Sequence, residues 1–513
     1  MNSVSVYPSF VDSSLNLKLN DYSALACPKY PGVDNDIDDN MRINITTMGC
    51  YTPVMSGADG VLTEVLNWKT SAVYAGDTSH LKVVLFNAGA TTITAANIKW
   101  KFNNVDQPVI HWTGNLLTGT TDTIDLDTVT YISRNNEVVV WIENLGLLND
   151  TTQTNDTVRA YNYACDSMLN GYYTIGATGD YADMDEAVAI LNLCGINGPV
   201  TFAIQPGTYL QNTTIGYING TSPTNTITFT STTGDSTDVV LQRADNATTS
   251  IAPIMITNGE NIIIEKVTLS GQSPITSTYT YSHGIIITGT SRNIEVRNCH
   301  IYGPKNFGTA VTGTNQNPVR LKDATVSDVR ILNNLIEGGS CGVYVYGTNS
   351  TSRISNVVVK GNTIGYVDTY GFYVYYADSV LIEGNTLVQR TGNFTPGIMY
   401  GVYNYYANSD IISNKLKMAS TYYGIYTYYM NNDTSIRHGL IVNNEIIGNA
   451  TTTTHRGIYM NSYTRAKVYH NSIYMGGSAA GSGIYVTSSA YTYVDIKRSE
   501  ERRVGKECRS RWS

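Results

Sequence analysis

Apolar and polar positions between Ile264 and Ile496 repeat one short pattern. Its clearest copies are V-V-V-K-G-N-T-I at Val357–Ile364 and V-L-I-E-G-N-T-L at Val380–Leu387. Aligning the copies produces columns. One holds Ile264, Val296, Ile331, Val359, Ile382, Ile411, Ile441 and Val468. A second, five residues on, holds Leu269, Ile301, Ile336, Ile364, Leu387, Leu416, Ile446 and Ile473. Both are aliphatic throughout. A third runs between them: Val267, Cys299, then Asn334, Asn362, Asn385, Asn414, Asn444 and Asn471. The second column spans 204 residues in seven steps, about 29 per repeat, which falls in the range of roughly 20–50 that marks stacked-repeat architectures. The uneven steps put length variation in loops while strands keep register.

No helical period fits these columns, whereas alternation inside each copy predicts short strands. Stacked copies would lie about 4.8 Å apart and bury a continuous aliphatic column. An Asn repeated at an inward corner can bond its neighbours above and below and the turn backbone, which satisfies groups otherwise buried unpaired. The pattern therefore predicts an all-β parallel β-helix solenoid. The G-N-T-I and G-I-Y repeats also resemble the right-handed, pectate-lyase-like β-helix superfamily of bacterial secreted proteins, over about two-thirds of the chain. The resemblance implies a right-handed coil and an extracellular or cell-surface location. It says little about activity, because this scaffold carries many functions.

Ahead of the solenoid the periodicity changes. Leu81–Asn87, Ile98–Phe102 and Val138–Ile142 read as half-buried strands between Asn/Gly turns, so 54–164 is expected to be an immunoglobulin-like β-sandwich. Asn87-Ala88-Gly89 and Asn155-Asp156-Thr157 resemble the cell-adhesion-related sandwich domain of bacterial surface proteins, a module that spaces or presents its neighbours. The solenoid domain is expected over 165–497. Within 180–195, Met184, Ala187, Val188, Leu191 and Cys194 follow a helical period, Asp183 and Glu186 suit a capping box, and Gly195 stops the helix. This helix is expected to lid the first rung, whose core would otherwise be open. Val200–Ile204, Thr226–Thr230 and Ile254–Thr257 are early, less regular rungs.

Composition narrows the function classes. Charged residues are 14% of 513, tyrosines number 39, and the net charge is −8, which argues against nucleic-acid binding. No signal peptide or membrane-inserting run is legible. Residues 498–513 (RSEERRVGKECRSRWS) break abruptly from this composition and resemble a translated sequencing adapter; the net charge without them is −11. Residues 1–53 read as the tail of a preceding domain, since Asp36-Ile37-Asp38 with Arg42 and Met48-Gly49-Cys50-Tyr51 resembles a stretch that closes many bacterial β-helix domains. Asp34, Asp36, Asp38 and Asp39 there could hold Ca²⁺ or form a solvated turn. No other cofactor or metal is expected, because no cysteine pair has zinc spacing. Cys27–Cys50 and Cys165–Cys194 could form disulfides, and Cys299 reads as a buried thiol.

A polysaccharide lyase on such a scaffold would need carboxylates for Ca²⁺ plus a basic residue, and a hydrolase paired carboxylates. Asp378 and Asp410 do not share a column, and Glu337, Glu383 and Glu445 occupy three different offsets. Lys360 and Arg390 have no carboxylate partner that the pattern places. No catalytic residue is assigned. Tyrosine, in contrast, recurs after each Gly-apolar pair: Tyr344, Tyr373, Tyr403, Tyr426, Tyr459 and Tyr485, with Tyr346, Tyr375, Tyr405 and Tyr428 two residues on. Strand alternation turns Val343, Phe372, Val402 and Ile425 inward and these tyrosines outward. Tyr376, Tyr406 and Tyr429 turn the corner. The aromatic surface suits a polysaccharide or cell-surface glycan, with ligand-binding residues Tyr344, Tyr346, Tyr373, Tyr375, Tyr403, Tyr405, Tyr426 and Tyr428. Tyrosine is also a strong strand former whose ladders stabilise stacked rungs. The expectation is a non-catalytic surface or secreted protein, monomeric, adhesive or glycan-binding. The alternative is a secreted polysaccharide lyase or glycoside hydrolase.

Overall fold

The computed structural model describes residues 57–503 apart from 72, 245–250, 273–281, 304–315, 324, 390–398, 420, 432–436, 451–454, 478–480 and 488–492. Within 1–56 it describes only residues 32–35 and the strands Phe10–Asp12, Asn16–Leu19, Ala26–Pro28 and Ile45–Thr47. Asp36, Asp38, Asp39, Arg42, Met48–Tyr51 and Arg390 lie outside the described residues. The chain divides into two compact units, Met1–Ser167 and Met168–Ser513.

In the first unit, antiparallel strands form an immunoglobulin-like sandwich. Thr121–Thr130, Thr78–Asn87 and Gly60–Leu66 make one sheet; Thr157–Ala164, Arg134–Asn144 and Ile93–Phe102, extended by Val105–Asp106 and Ile110–Leu116, make the other. Leu81, Val83, Leu85, Ile98, Trp100, Val138 and Val140 alternate inward and are fully buried or nearly so. Asn87 is buried with a clear task. Its Nδ2 donates to the Thr91 and Leu116 carbonyls, and its Oδ1 accepts from the Gly89 amide, closing the turn on both sides.

The second unit is a parallel β-helix of three faces. The chain passes from a twelve-stranded sheet to an eleven-stranded one, then a ten-stranded one, and back. The register pairs the aliphatic columns as read: Ile264 with Val296, through to Ile441 with Val468, and Leu269 with Ile301, through to Ile446 with Ile473. At the corner between these faces Asn334 accepts from the Cys299 amide, and each later ladder Asn accepts from the Asn before it. Asn334 donates through backbone N and Nδ2 to Asn362 Oδ1 at 2.9 and 3.0 Å, and the same pair of bonds repeats to Asn471. The residue before each ladder Asn is left-handed: Asn333, Gly361, Gly384, Ser413, Asn443 and His470 have φ from 54° to 70°. That is why Gly precedes Asn in the clearest copies. Cys299 stands in the ladder as a free buried thiol, and burial pushes its pKa up to about 12. Cys165 and Cys194 are disulfide-bonded.

The helix runs Met184–Cys194, shorter than the 180–195 expected, because Asp183 is its N-cap: its carboxylate accepts from the Glu186 amide at 2.9 Å. Glu186 reaches back to the Ala182 amide at 2.7 Å. Its buried face packs on Thr213–Ile215 and Leu169–Ile175 at the start of the solenoid. Ile254–Thr257 belongs to the third face, whereas Ile196–Ile204 and Ile227–Ser231 belong to the first, so these early strands are parts of rungs.

Candidate functional site

The third face carries the tyrosines. On it, Val343, Phe372, Val402, Ile425 and Ile458 pair in register and are buried. The glycine before each of these residues lies under the next rung: a Cβ on Gly424 would sit 2.4 Å from the Gly457 carbonyl oxygen, and one on Gly401 2.5 Å from that of Gly424. Only glycine permits this approach of backbones. Alternation then turns the following residue outward, which places Tyr344, Tyr373, Tyr403, Tyr426 and Tyr459 in one column and Tyr346, Tyr375, Tyr405 and Tyr428 in the next. The structure thus brings all eight sequence-predicted residues onto one face.

How the rings sit decides what that face offers. Tyr346, Tyr375, Tyr405 and Tyr428 stack with centroids 5.0, 5.0 and 4.6 Å apart and planes within 14° of parallel. Tyr344, Tyr373, Tyr403 and Tyr426 stack at 5.0 to 5.2 Å with planes within 19° of parallel. Such a spacing is narrower than a phenol ring laid flat, so the rings stand against one another. Their faces are largely covered by neighbours, and edges and hydroxyls meet solvent. Tyr344 departs from the expectation of an exposed ring: it is 5% exposed, packed beneath the Arg320 guanidinium at 4.8 Å. The other seven are half-buried.

Burial raises the pKa values of Tyr373, Tyr375, Tyr400, Tyr403 and Tyr423, most for Tyr373, with neighbouring phenols adding to it. These hydroxyls therefore stay neutral, able both to donate and to accept. At the corner Tyr376, Tyr406, Tyr429 and Tyr463 all have left-handed backbones, φ 45° to 52°. Bulky residues pay a conformational penalty there, which is offset by stacking of Tyr406 on Tyr429 at 4.4 Å and Tyr429 on Tyr463 at 4.8 Å.

A third column was missed in the sequence: Tyr370, Tyr400, Tyr423 and Arg456 pair in register, with Tyr423 buried and the other three half-buried. The signal was legible, since each residue immediately precedes the repeat glycine. Arg456 lies over Tyr459 and Tyr485 at 4.1 and 3.6 Å. At the opposite end Arg320 and Lys322 pair with Tyr344 and Tyr346. None of the ten strands of this face contains Asp or Glu.

Several carboxylates on the strands of the other two faces have a basic partner. Lys360, which the pattern left without a partner, bonds Glu383 on the next rung at 2.8 Å. Arg297 bridges Glu265 and Glu295 at 2.5 Å each, His300 bonds Glu337 at 3.0 Å, and Asp410 pairs with Arg437. Asp378 and Asp410 fall in different columns, as do Glu383 and Glu445.

Comparison with known proteins fits this architecture. Residues 205–387 and 319–498 match the family described as right handed beta helix region, together more than half of the chain. The chain belongs to the right-handed β-helix family. Among solved structures this β-helix protein is similar to the Streptococcus pneumoniae surface protein and adhesin PfbA, with 15% identity over 64% of this chain and 91% of that one and a TM-score of 0.32. It is similar to the Aspergillus niger pectin methylesterase, with 12% identity over 66% and 88% and a TM-score of 0.28. A CARDB domain from Pyrococcus furiosus shares 11% identity over 22% of this chain and 100% of its own, with a TM-score of 0.19. Likeness at this level does not extend to activity. No curated protein sequence matches the chain. Among the described residues no helix is long and apolar enough to cross a membrane.

Proposed function

We propose that the tyrosine face binds an extended polysaccharide or cell-surface glycan without cleaving it, on a protein that works outside the cell or at its surface. One observation carries the reading: several successive rungs present neutral phenols in up to three columns, on a face whose described strands hold no Asp or Glu and with cations at both ends. Because the ring faces are stacked on one another, recognition runs through rows of hydroxyls and ring edges at rung pitch. Each contact is weak, and contacts add along a polymer as multivalent attachment. The left-handed corner tyrosines support the same reading, since strained positions tend to persist where a surface is used.

The test is the pair Tyr375→Phe with Tyr405→Phe, which keeps the stack and removes two mid-ladder hydroxyls. Affinity electrophoresis against plant, algal and host glycans should show weaker retention at an unchanged melting temperature. Retention equal to the parent would overturn the face as a binding site. New reducing ends or unsaturated sugars in parallel incubations would replace binding with catalysis.

A further inference from the structure

The first face of the solenoid holds a cavity that neither the tyrosine columns nor the asparagine ladder uses. Three adjacent strands, Glu260–Glu265, Arg292–Arg297 and Ser327–Leu332, begin beside it and form its floor. The turn at Thr221, Ser222 and Pro223 walls it, and its volume is about 410 Å³, within the roughly 300–1,000 Å³ of small-molecule sites. The wall is fixed by its own bonds. The Thr221 hydroxyl donates to the Ile218 carbonyl, and Ser222 Oγ accepts from the Asn225 amide, both at 3.0 Å. On the floor Arg292 Nη2 donates to Glu260 Oε2 at 2.8 Å, and Asn293 Nδ2 to Asn261 Oδ1 at 2.6 Å. Asn261 is 6% exposed, and its own Nδ2 donates to no group among the described residues. Asp328 stands exposed at the far side, where its two oxygens accept from Asn356 Nδ2 and the Ser327 hydroxyl. The Glu260 carboxylate raises the Arg292 pKa, with smaller contributions from Asp328 and Tyr217, so both lie near the guanidinium. The Tyr217 ring is exposed.

What reaches the cavity is a set of matched donors and acceptors. Asn261 Nδ2 donates and Asn293 Oδ1 accepts, and the Glu260–Arg292 pair beside them offers one of each, on two adjacent rungs. Two carboxylates and one guanidinium give the lining a net charge of −1. That charge disfavours a phosphate, a sulfate or a sugar acid, while Arg292 between the carboxylates repels a metal ion. Among the described residues lining the cavity only Pro223 is apolar, so a hydrophobic side chain would gain little there. A neutral pyranose fits. Each of its hydroxyls both donates and accepts, and neighbouring hydroxyls can meet a donor and an acceptor set side by side. Tyr217 beside Arg292 adds an aromatic surface for the C–H face of a sugar ring. We propose that this cavity binds a neutral sugar unit of a glycan, as a second carbohydrate site separate from the tyrosine face. It shares no residue with the tyrosine columns, so the two sites stand independently. Each hydrogen bond to the sugar replaces one to water, which sets a Kd on the order of 1 mM.

Saturation-transfer NMR titrations of the full chain with cellotriose, maltotriose and mannotriose test the site, with trigalacturonate as the anionic comparison. Saturable binding of at least one neutral trisaccharide is expected near the stated Kd. Asn261 has a left-handed backbone, φ 58°, so Asn261→Gly keeps the conformation while removing the amide. It should weaken binding about threefold to tenfold. Asp328→Asn should weaken it too. Ser379→Gly, also left-handed in the same column two rungs beyond Asp328, should not, and neither should Tyr375→Phe with Tyr405→Phe. Absence of saturable binding by all three neutral sugars overturns the site. So does binding unchanged in both Asn261→Gly and Asp328→Asn, which would place the sugar elsewhere on the chain. Trigalacturonate bound as tightly, with the same dependence on Asn261, would overturn the neutral ligand class.

Discussion

Replacing Asn385 by Ala tests the load carried by the asparagine ladder. Its Oδ1 accepts from the Asn362 amide and from Asn362 Nδ2, both at 2.9 Å. Its Nδ2 donates to the Val359 carbonyl at 2.9 Å and to Asn414 Oδ1 at 3.0 Å. Truncation removes all four bonds at a residue that is fully buried. Two of the groups keep alternatives: Asn362 Nδ2 still reaches the Ile331 carbonyl, and Asn414 Oδ1 still accepts from the Asn385 amide. The Asn362 amide loses its acceptor and the Val359 carbonyl a donor. At about 1–1.5 kcal/mol for each stranded group, the expected cost is about 2–3 kcal/mol. Urea unfolding followed by circular dichroism measures it. The ladder also predicts a pattern of coupling. Asn385→Ala and Asn414→Ala delete a shared bond, so together they should cost less than their sum by about 0.5 kcal/mol or more. Asn334→Ala and Asn444→Ala, four rungs apart, should add. A cost below about 0.5 kcal/mol for Asn385→Ala, or simple additivity for the adjacent pair, would refute the ladder as a cooperative element.

Three further outcomes are expected. Gly424→Ala forces a Cβ to within 2.4 Å of the Gly457 carbonyl oxygen and should destabilise by about 1–3 kcal/mol; a melting temperature equal to the parent would show that the rungs can part without cost. Tyr373, Tyr375, Tyr400 and Tyr403 have raised pKa values, and burial lifts Tyr406 at the corner up to about 12. Below the ordinary phenol value neither state ionises, so stability holds; between about 10 and 12 the unfolded chain ionises first and stability falls. Phenolate absorbance should lag in the folded protein, and one transition at the ordinary value for all tyrosines would contradict the stacked burial. Ending the chain at Lys497 should leave the melting temperature unchanged. The register of Glu500–Arg503 on Ser472–Met475 sets Glu501 opposite Ile473, an acidic residue in a column aliphatic from Leu241 to Ile473, and a lower melting temperature on deletion would make residues 498–513 structural.

The solenoid was legible because its constraints are local and repeated. A buried column accepts only aliphatic side chains, a left-handed corner prefers Gly or Asn, and a buried polar corner needs a residue that both donates and accepts. Each constraint writes itself into the chain once per rung, so Ile264 through Val468 and Asn334 through Asn471 could be aligned without coordinates. The outward tyrosines followed from the period of two. The partner of Lys360 lies 23 residues away, and that offset changes with every loop length, so only the register could supply Glu383. Ring orientation was equally out of reach. Alternation tells which way a Cβ points, but whether rings lie flat or stand on edge depends on rung spacing and on neighbours above and below. Sequence alone determined the architecture, because stacking repeats its demands; tertiary structure alone decided which side chains meet, because contact across variable loops leaves no fixed spacing to read.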